Sequence, residues 1–133
     1  MTLVDTDVLI AHLRGVEAAR DWLRQTRLAG PLTISAVTVT EISGGMRAGE
    51  KRDVWALLNA MLIEPVTEVT ARRAGELMRQ YRHSHTGIGL GDYLIAATAE
   101  ILGAGLATLN VRHFPMIPDL KPPFKLTLPA GER

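Results

Sequence analysis

The sequence predicts an α/β fold: a three-layer α/β/α sandwich around a mainly parallel central sheet. Three observations predict it. Short apolar runs that end in polar residues, such as Leu3-Val4 before Asp5 and Leu32 to Ile34 before Ser35, alternate with longer segments of helical periodicity. Strand and helix alternate along the chain, which favours parallel pairing, right-handed crossovers and helices on both faces. One helical segment, Asp92 to Leu102, is apolar on nearly every side, as a central helix buried within such a fold must be.

Taken in order, Leu3-Val4 begins a buried strand that runs out at Asp5. The segment Asp7 to Arg14 has helical spacing through Val8, Leu9, Ile10 and Leu13, with Gly15 as its stop. Asp7 is read as a cap on this helix, where an anion suits the helix dipole. A second amphipathic helix spans Glu17 to Leu28 and ends at Gly30-Pro31. Leu32 to Ser35 is a short strand whose Ser35 caps a helix from Ala36 to Arg47, weakened toward its end by Gly44-Gly45. Lys51 to Leu62 is another helix. Ile63 to Val66 reads as a short edge strand, because Pro65 has no N–H to give a ladder. Thr70 is expected to cap a helix from Ala71 to about Arg82. A glycine-rich loop from Ser84 to Gly91 then leads to Asp92 and the apolar helix, which Gly103 to Gly105 ends. Leu106 to Leu109 is the next strand, with Asn110 at its carboxyl end. The proline-containing tail is irregular, although Phe124 to Leu128 has the pattern of a last strand.

The 133 residues suit one domain with a single core, read as spanning 1–133. The balance of 47% apolar and 22% charged residues is that of a globular chain, which argues against disorder. Without cysteine, disulfide scaffolds, thiolate catalysis and cysteine-ligated zinc are excluded. No apolar run reaches about 18 residues and no basic segment precedes an apolar one at the start, so a cytoplasmic protein without a membrane partner is expected. Net charge is +1, but 12 of the 15 basic residues are arginine, the side chain best shaped to grip phosphate. Three carboxylates committed to a cation would leave a balance of +4, a modest lean toward a polyanionic substrate.

Three acidic residues stand out from apolar surroundings. Asp5 ends a buried strand, Glu41 lies on a helix beside Val37 and Ile42, and Asp92 opens the apolar helix; Asn110 ends another strand. In open α/β sheets, ligands bind outside the carboxyl ends of strands. Carboxylates gathered there repel one another, and hard cations such as Mg²⁺ or Mn²⁺ resolve that conflict through oxygen ligands. Taken singly, each residue also has a plain structural reading: Asp5 as a turn former, Glu41 as a solvated helix residue, Asp92 as a helix N-cap.

Four stretches in order, Leu3 to Ile10, Ile34 to Ile42, Gly91 to Ala99 and Ala107 to Phe114, resemble the PIN-domain ribonucleases, and most closely the VapC-type toxins of bacterial toxin–antitoxin pairs. The resemblance covers almost the whole chain. It implies a metal-dependent endoribonuclease in which Asp5, Glu41, Asp92 and Asn110 form the catalytic set and Asp5 and Asp92 hold Mg²⁺ or Mn²⁺. Many family members carry an acidic residue where this chain has Asn110; an amide binds a cation more weakly, which favours one tightly held metal over two. The resemblance further implies an RNA substrate cut to leave 5′-phosphate and 3′-hydroxyl ends, a VapB-type antitoxin and a homodimer. Thr6, Thr108 and Arg112 are the residues placed to bind substrate: Thr6 beside the site, Thr108 fixing Asn110 or a phosphate oxygen, Arg112 meeting RNA phosphate.

Two other readings fit parts of the sequence. Asp5-Thr6-Asp7 also fits the opening of a haloacid-dehalogenase-type phosphatase, but that reading asks for a second acid where Ala96 stands and leaves Glu41 unexplained. A PIN-like module that binds RNA without cutting it is the other alternative. Among the histidines, His83 and His85 read as surface loop, His113 as a residue facing RNA, and His12 lacks a partner. Trp22 and Trp55 read as packing or interface residues rather than base-stacking platforms, since no second aromatic accompanies either in sequence. Leu13, Trp22, Leu23, Met46, Trp55 and Leu58 exceed what one small sheet needs, suggesting a groove for an amphipathic partner helix.

Overall fold

The computed structural model of the chain describes residues 1–126. Its sheet has four strands, β1 (Thr2–Val4), β2 (Leu32–Ser35), β3 (Leu62–Glu64) and β4 (Gly105–Ala107), in the order β3-β2-β1-β4. All the pairings are parallel, with Leu3 opposite Thr33 and Leu106, and Ile34 opposite Ile63. The helices are α1 (Thr6–Leu13), α2 (Glu17–Leu28), α3 (Ala36–Gly45), α4 (Lys51–Asn59), α5 (Glu68–Tyr81) and α6 (Leu90–Leu102), followed by a 3-10 turn at Val111–His113.

Alternation along β1 divides the core in two. Leu3 packs with Leu77, Tyr93, Ile95, Leu106 and Phe114, on the side of α5 and α6. Val4, the next residue and so on the other face, packs with Ile34 of β2 and with Val8, Leu9, Ile42, Val54 and Leu58 from α1, α3 and α4. These are the three layers expected. On α6, Tyr93, Ile95 and Ala96 to Ala99 are buried, which accounts for its apolar composition. No helix among the described residues is long and apolar enough to cross a membrane.

Several boundaries differ from expectation. The helix expected at 51–62 stops at Asn59, because Leu62 is recruited into β3 opposite Thr33. That strand ends at Glu64, just before the proline without an N–H. The helix expected to run to Arg47 stops at Gly45, with Met46 extended. β4 ends at Ala107 rather than Leu109, after the Asp5 N–H closes the ladder on the Ala107 carbonyl at 2.9 Å. No strand occupies 124–126, and the remainder of the strand expected there lies outside the described residues. Trp22 does have an aromatic neighbour, Phe124, at 6.5 Å between ring centroids. Of the residues expected to line a partner groove, Leu23 and Leu58 are instead core.

Capping also departs from the sequence reading. Thr67, not Thr70, caps α5: its hydroxyl accepts from the Thr70 N–H at 3.2 Å, and Thr70 lies buried in the first turn. Ser35 caps α3 as expected, accepting from the Val37 N–H at 3.1 Å. Replacing Thr67 by Ala should therefore cost about 1 kcal/mol in urea unfolding, and Thr70→Val, which keeps the N–H that the cap needs, clearly less. Equal costs would mean that the contact between the two hydroxyls matters more than the cap.

Candidate active site

β1 delivers Asp5 to the carboxyl edge of the sheet, where it becomes the N-cap of α1, with its Oδ1 accepting from the Thr6 N–H at 2.8 Å. Its Oδ2 accepts from the Thr108 hydroxyl at 2.7 Å. The same hydroxyl oxygen accepts from the Asn110 N–H at 3.0 Å, which fixes the turn leaving β4. Asp7 does not cap α1, contrary to the sequence reading, because Asp5 already does. Its Oδ2 instead takes the Leu109 N–H at 3.1 Å and lies 3.3 Å from the Thr108 hydroxyl, while its Oδ1 is buried with no partner.

Glu41 reaches the same edge from α3. Its Oε1 accepts from the Thr6 hydroxyl at 2.7 Å, beside Thr38, whose own hydroxyl lies 3.0 Å from that of Thr6. Thr38 is fully buried and was not anticipated, although its spacing of three from Glu41 puts both on one helix face. The other carboxylate oxygen of Glu41 lies against Gly91: a Cβ there would approach it to 3.3 Å and the Val37 side chain to 3.3 Å. Close approach, rather than backbone freedom, is what glycine provides at this position.

Asp92 is not the first residue of its helix. α6 starts two positions earlier, with Gly89 at the N-cap, and Asp92 Oδ2 reaches back to the Gly89 N–H at 3.1 Å. That oxygen also lies 3.0 Å from His113 Nδ1, which in turn is 2.9 Å from the Asn110 amide nitrogen. His113, read from the sequence as a residue facing RNA, is joined to the site through these two contacts. The signal was its spacing of three from Asn110, since residues i and i+3 eclipse on a 3-10 turn. Arg112, between them, is exposed.

The structure thus joins Asp5, Thr6, Asp7, Glu41, Asp92, Thr108, Asn110 and His113 at one edge. Burial, then the neighbouring Asp7 and, more weakly, Asp92, push the Asp5 carboxyl up to about 7, against the opposing hydrogen bonds from Thr108 and Thr6. Burial likewise raises Asp7. Among the described residues, no three acidic or histidine side chains converge closely enough to hold a metal ion by themselves. A hard cation needs only one or two carboxylates, the rest of its shell being water and phosphate. Asp5 and Asp92, close enough to perturb each other, fit that requirement, with an all-oxygen set and a surplus of negative charge.

An acidic edge on an all-parallel α/β/α sheet defines a class of protein, and comparison with known proteins places the chain within it. Residues 2–118 match the PIN domain family. The chain belongs to that family and, within it, to the VapC type. It is 64% identical to Ribonuclease VapC10 of Mycobacterium tuberculosis over 124 residues, 93% of each chain. It is 45% identical to Ribonuclease VapC19 of the same organism over 125 residues, 93% of this chain and all of that one. Among solved structures, a toxin–antitoxin complex from Klebsiella pneumoniae has a chain that superposes with a TM-score of 0.77 at 26% identity, covering 95% of this chain and 100% of its own. Ala96, where the phosphatase reading needs an acid, is buried in the core.

A carboxyl whose pKa is higher folded than unfolded destabilises the fold as it ionises. The cost is absent below about pH 4, grows as pH rises toward 7, and is fully present above. Asp5→Asn removes it, and the Thr108 hydroxyl can turn to Asp7 Oδ2, 3.3 Å away. In chelator, the variant should match wild type near pH 4 and exceed it above pH 7 by on the order of 2–4 kcal/mol, read from urea unfolding at both pH values. A variant less stable than wild type at pH 8 would make the Asp5 carboxylate a net support of the fold.

Proposed function

We propose that the chain is a Mg²⁺- or Mn²⁺-dependent endoribonuclease that acts as the toxin of a toxin–antitoxin pair, with a VapB-type antitoxin as its partner and a homodimer as its assembly. The observation that carries this reading is the uncompensated negative charge at the strand ends. Asp5 is pushed up to about 7, and among the described residues none of Asp5, Asp7 and Glu41 forms an ion pair. Identity of 64% to Ribonuclease VapC10 supports ribonuclease activity, and the Klebsiella pneumoniae toxin–antitoxin complex supports the antitoxin.

In this reading Asp5 and Asp92 hold the cation. When bound, it supplies Lewis acidity toward the scissile phosphate and toward water. Thr108 and the Thr6 N–H fix both oxygens of Asp5, so its carboxylate has one orientation. Thr6 holds Glu41 at the edge, where it accepts a proton from the attacking water. Displacement at phosphorus is in line and leaves 5′-phosphate and 3′-hydroxyl ends. Arg112, exposed beside Asn110, meets a phosphate of the RNA. Thr108 acts on the protein rather than the substrate, because its hydroxyl proton is given to Asp5. Glu41 is exposed and Asp92 and Asn110 are half-buried, so the site is open, as a polymer substrate requires; small-molecule sites are more enclosed.

Purified protein should cleave RNA with Mg²⁺ or Mn²⁺ and stop in chelator, and Asp5→Asn or Asp92→Asn should lower the rate roughly a hundredfold or more. Cleavage undiminished by chelator, or by either substitution, would overturn the reading. RNA binding without cleavage would return the chain to a non-catalytic module. Gly91→Ala is a finer test. It should leave stability unchanged or up to about 1 kcal/mol higher, yet slow cleavage roughly tenfold by displacing Glu41 a few tenths of an ångström, short of the hundredfold of a 1 Å error. Full activity in Gly91→Ala would remove Glu41's position from the mechanism.

A further inference from the structure

The Asp92–His113–Asn110 chain imposes a choice on the imidazole. His113 Nδ1 lies 3.0 Å from Asp92 Oδ2 and 2.9 Å from the Asn110 side-chain amide. In its ring plane a neutral Nδ1 offers one proton or one lone pair, never both. Beside an ionised carboxylate the favourable choice is Nδ1–H donating to Oδ2. Asn110 then suits the same N–H only by turning its oxygen to the ring, an amide rotation that exchanges O for N at one place. Its NH₂ group points elsewhere as a result.

We propose that His113 is a positioning residue that holds Asp92 for the metal-dependent reaction above, and the inference rests on that reading of the site. Two donors, the Gly89 N–H at 3.1 Å and His113 Nδ1–H, converge on Asp92 Oδ2. Asp92 Oδ1 accepts no hydrogen bond among the described residues, so its lone pairs are the ones left for a cation. The turn that carries His113 is anchored by Phe114, the next residue, which is fully buried among Leu3, Tyr93 and Ile95. His113 itself keeps 32% of its side-chain surface exposed, so packing does not account for its placement. Asn110, with its oxygen given to the ring, becomes a donor suited to an anionic oxygen and leaves cation binding to Asp5 and Asp92.

The shapes of side chains supply the test. Asparagine at 113 places an amide N–H where Nδ1 stands, glutamine places one nearer Nε2, and alanine removes both. Mn²⁺ affinity is measured by calorimetry on the folded wild type and on His113→Asn, His113→Gln and His113→Ala, with far-UV spectra to establish folding and KM and kcat on RNA alongside. We expect His113→Ala and His113→Gln to lose about 10- to 100-fold in Mn²⁺ affinity, the usual effect of removing a group that orients a ligand. His113→Asn should stay within a few-fold of wild type. Nitrogen-15 spectra of the metal-free wild type should show the proton on Nδ1 of His113. Wild-type affinity in His113→Ala, better rescue by Gln than by Asn, a raised KM with unchanged Mn²⁺ affinity, or the Nε2–H tautomer would each overturn the inference alone. A wild type that binds no Mn²⁺ would overturn the reading of the site and the inference with it.

Discussion

One hydroxyl ties the end of β1 to the turn leaving β4. Thr108 gives its proton to Asp5 Oδ2 and takes the Asn110 N–H, so a single side chain fixes both the carboxylate at the end of β1 and the turn leaving β4. Thr108 is fully buried, where an unmet hydroxyl would cost about 1–3 kcal/mol. Its alternative acceptor, Asp7 Oδ2, is 3.3 Å away. A single proton shared between two carboxylates satisfies the farther one only weakly. The edge of the sheet is therefore held together by a bond that leaves part of the negative charge unanswered.

Helix termini answer only some of it. Asp5 sits at the N-cap of α1 and Asp92 in the first turn of α6, where the dipole favours an anion by about 0.3–1 kcal/mol. Burial and the neighbouring carboxylates act in the other direction and prevail, since Asp5 still ends near 7. The placement of acids at helix starts therefore explains how the cluster is tolerated, not why it is there. In the proposed reading, a cation bound by the finished cluster would supply the missing term, and a two-carboxylate site would suit an ion that keeps much of its water.

The layers of the fold were legible because strand and helix periodicities are both strong in this chain: Leu3-Val4, Leu32 to Ile34 and the apolar run from Tyr93 to Leu102 leave little choice of face. The acids were legible for the same reason, since charge beside apolar residues is conspicuous. What escaped was whatever depends on a single hydrogen bond between distant elements. Thr67 and Thr70 are equally good caps by type, and only the path of the chain after β3 selects Thr67. Asp5 and Asp7 compete for the start of α1; the winner follows from where Leu109 arrives, more than a hundred residues later. His113 was visible as a residue but not as a partner, because its meaning depends on a 3-10 turn too short to announce itself in sequence.

The bond from Thr108 to Asp5 spans 103 positions of sequence. β4 lies at the edge of the sheet beside β1, and among the described strands β1 is the first in sequence and β4 the last. During synthesis, the first hundred residues emerge with β1 exposed on one side and Asp5 without its hydroxyl donor. Asn110 and His113 emerge only afterwards. A ribosome making this chain is itself built largely of RNA, and until β4 emerges it holds a product that has no assembled cleft. Fragments from interrupted translation would carry the acids but not the strand that arranges them. The order of the strands thus delays the hazardous part of the molecule until β4 has been made.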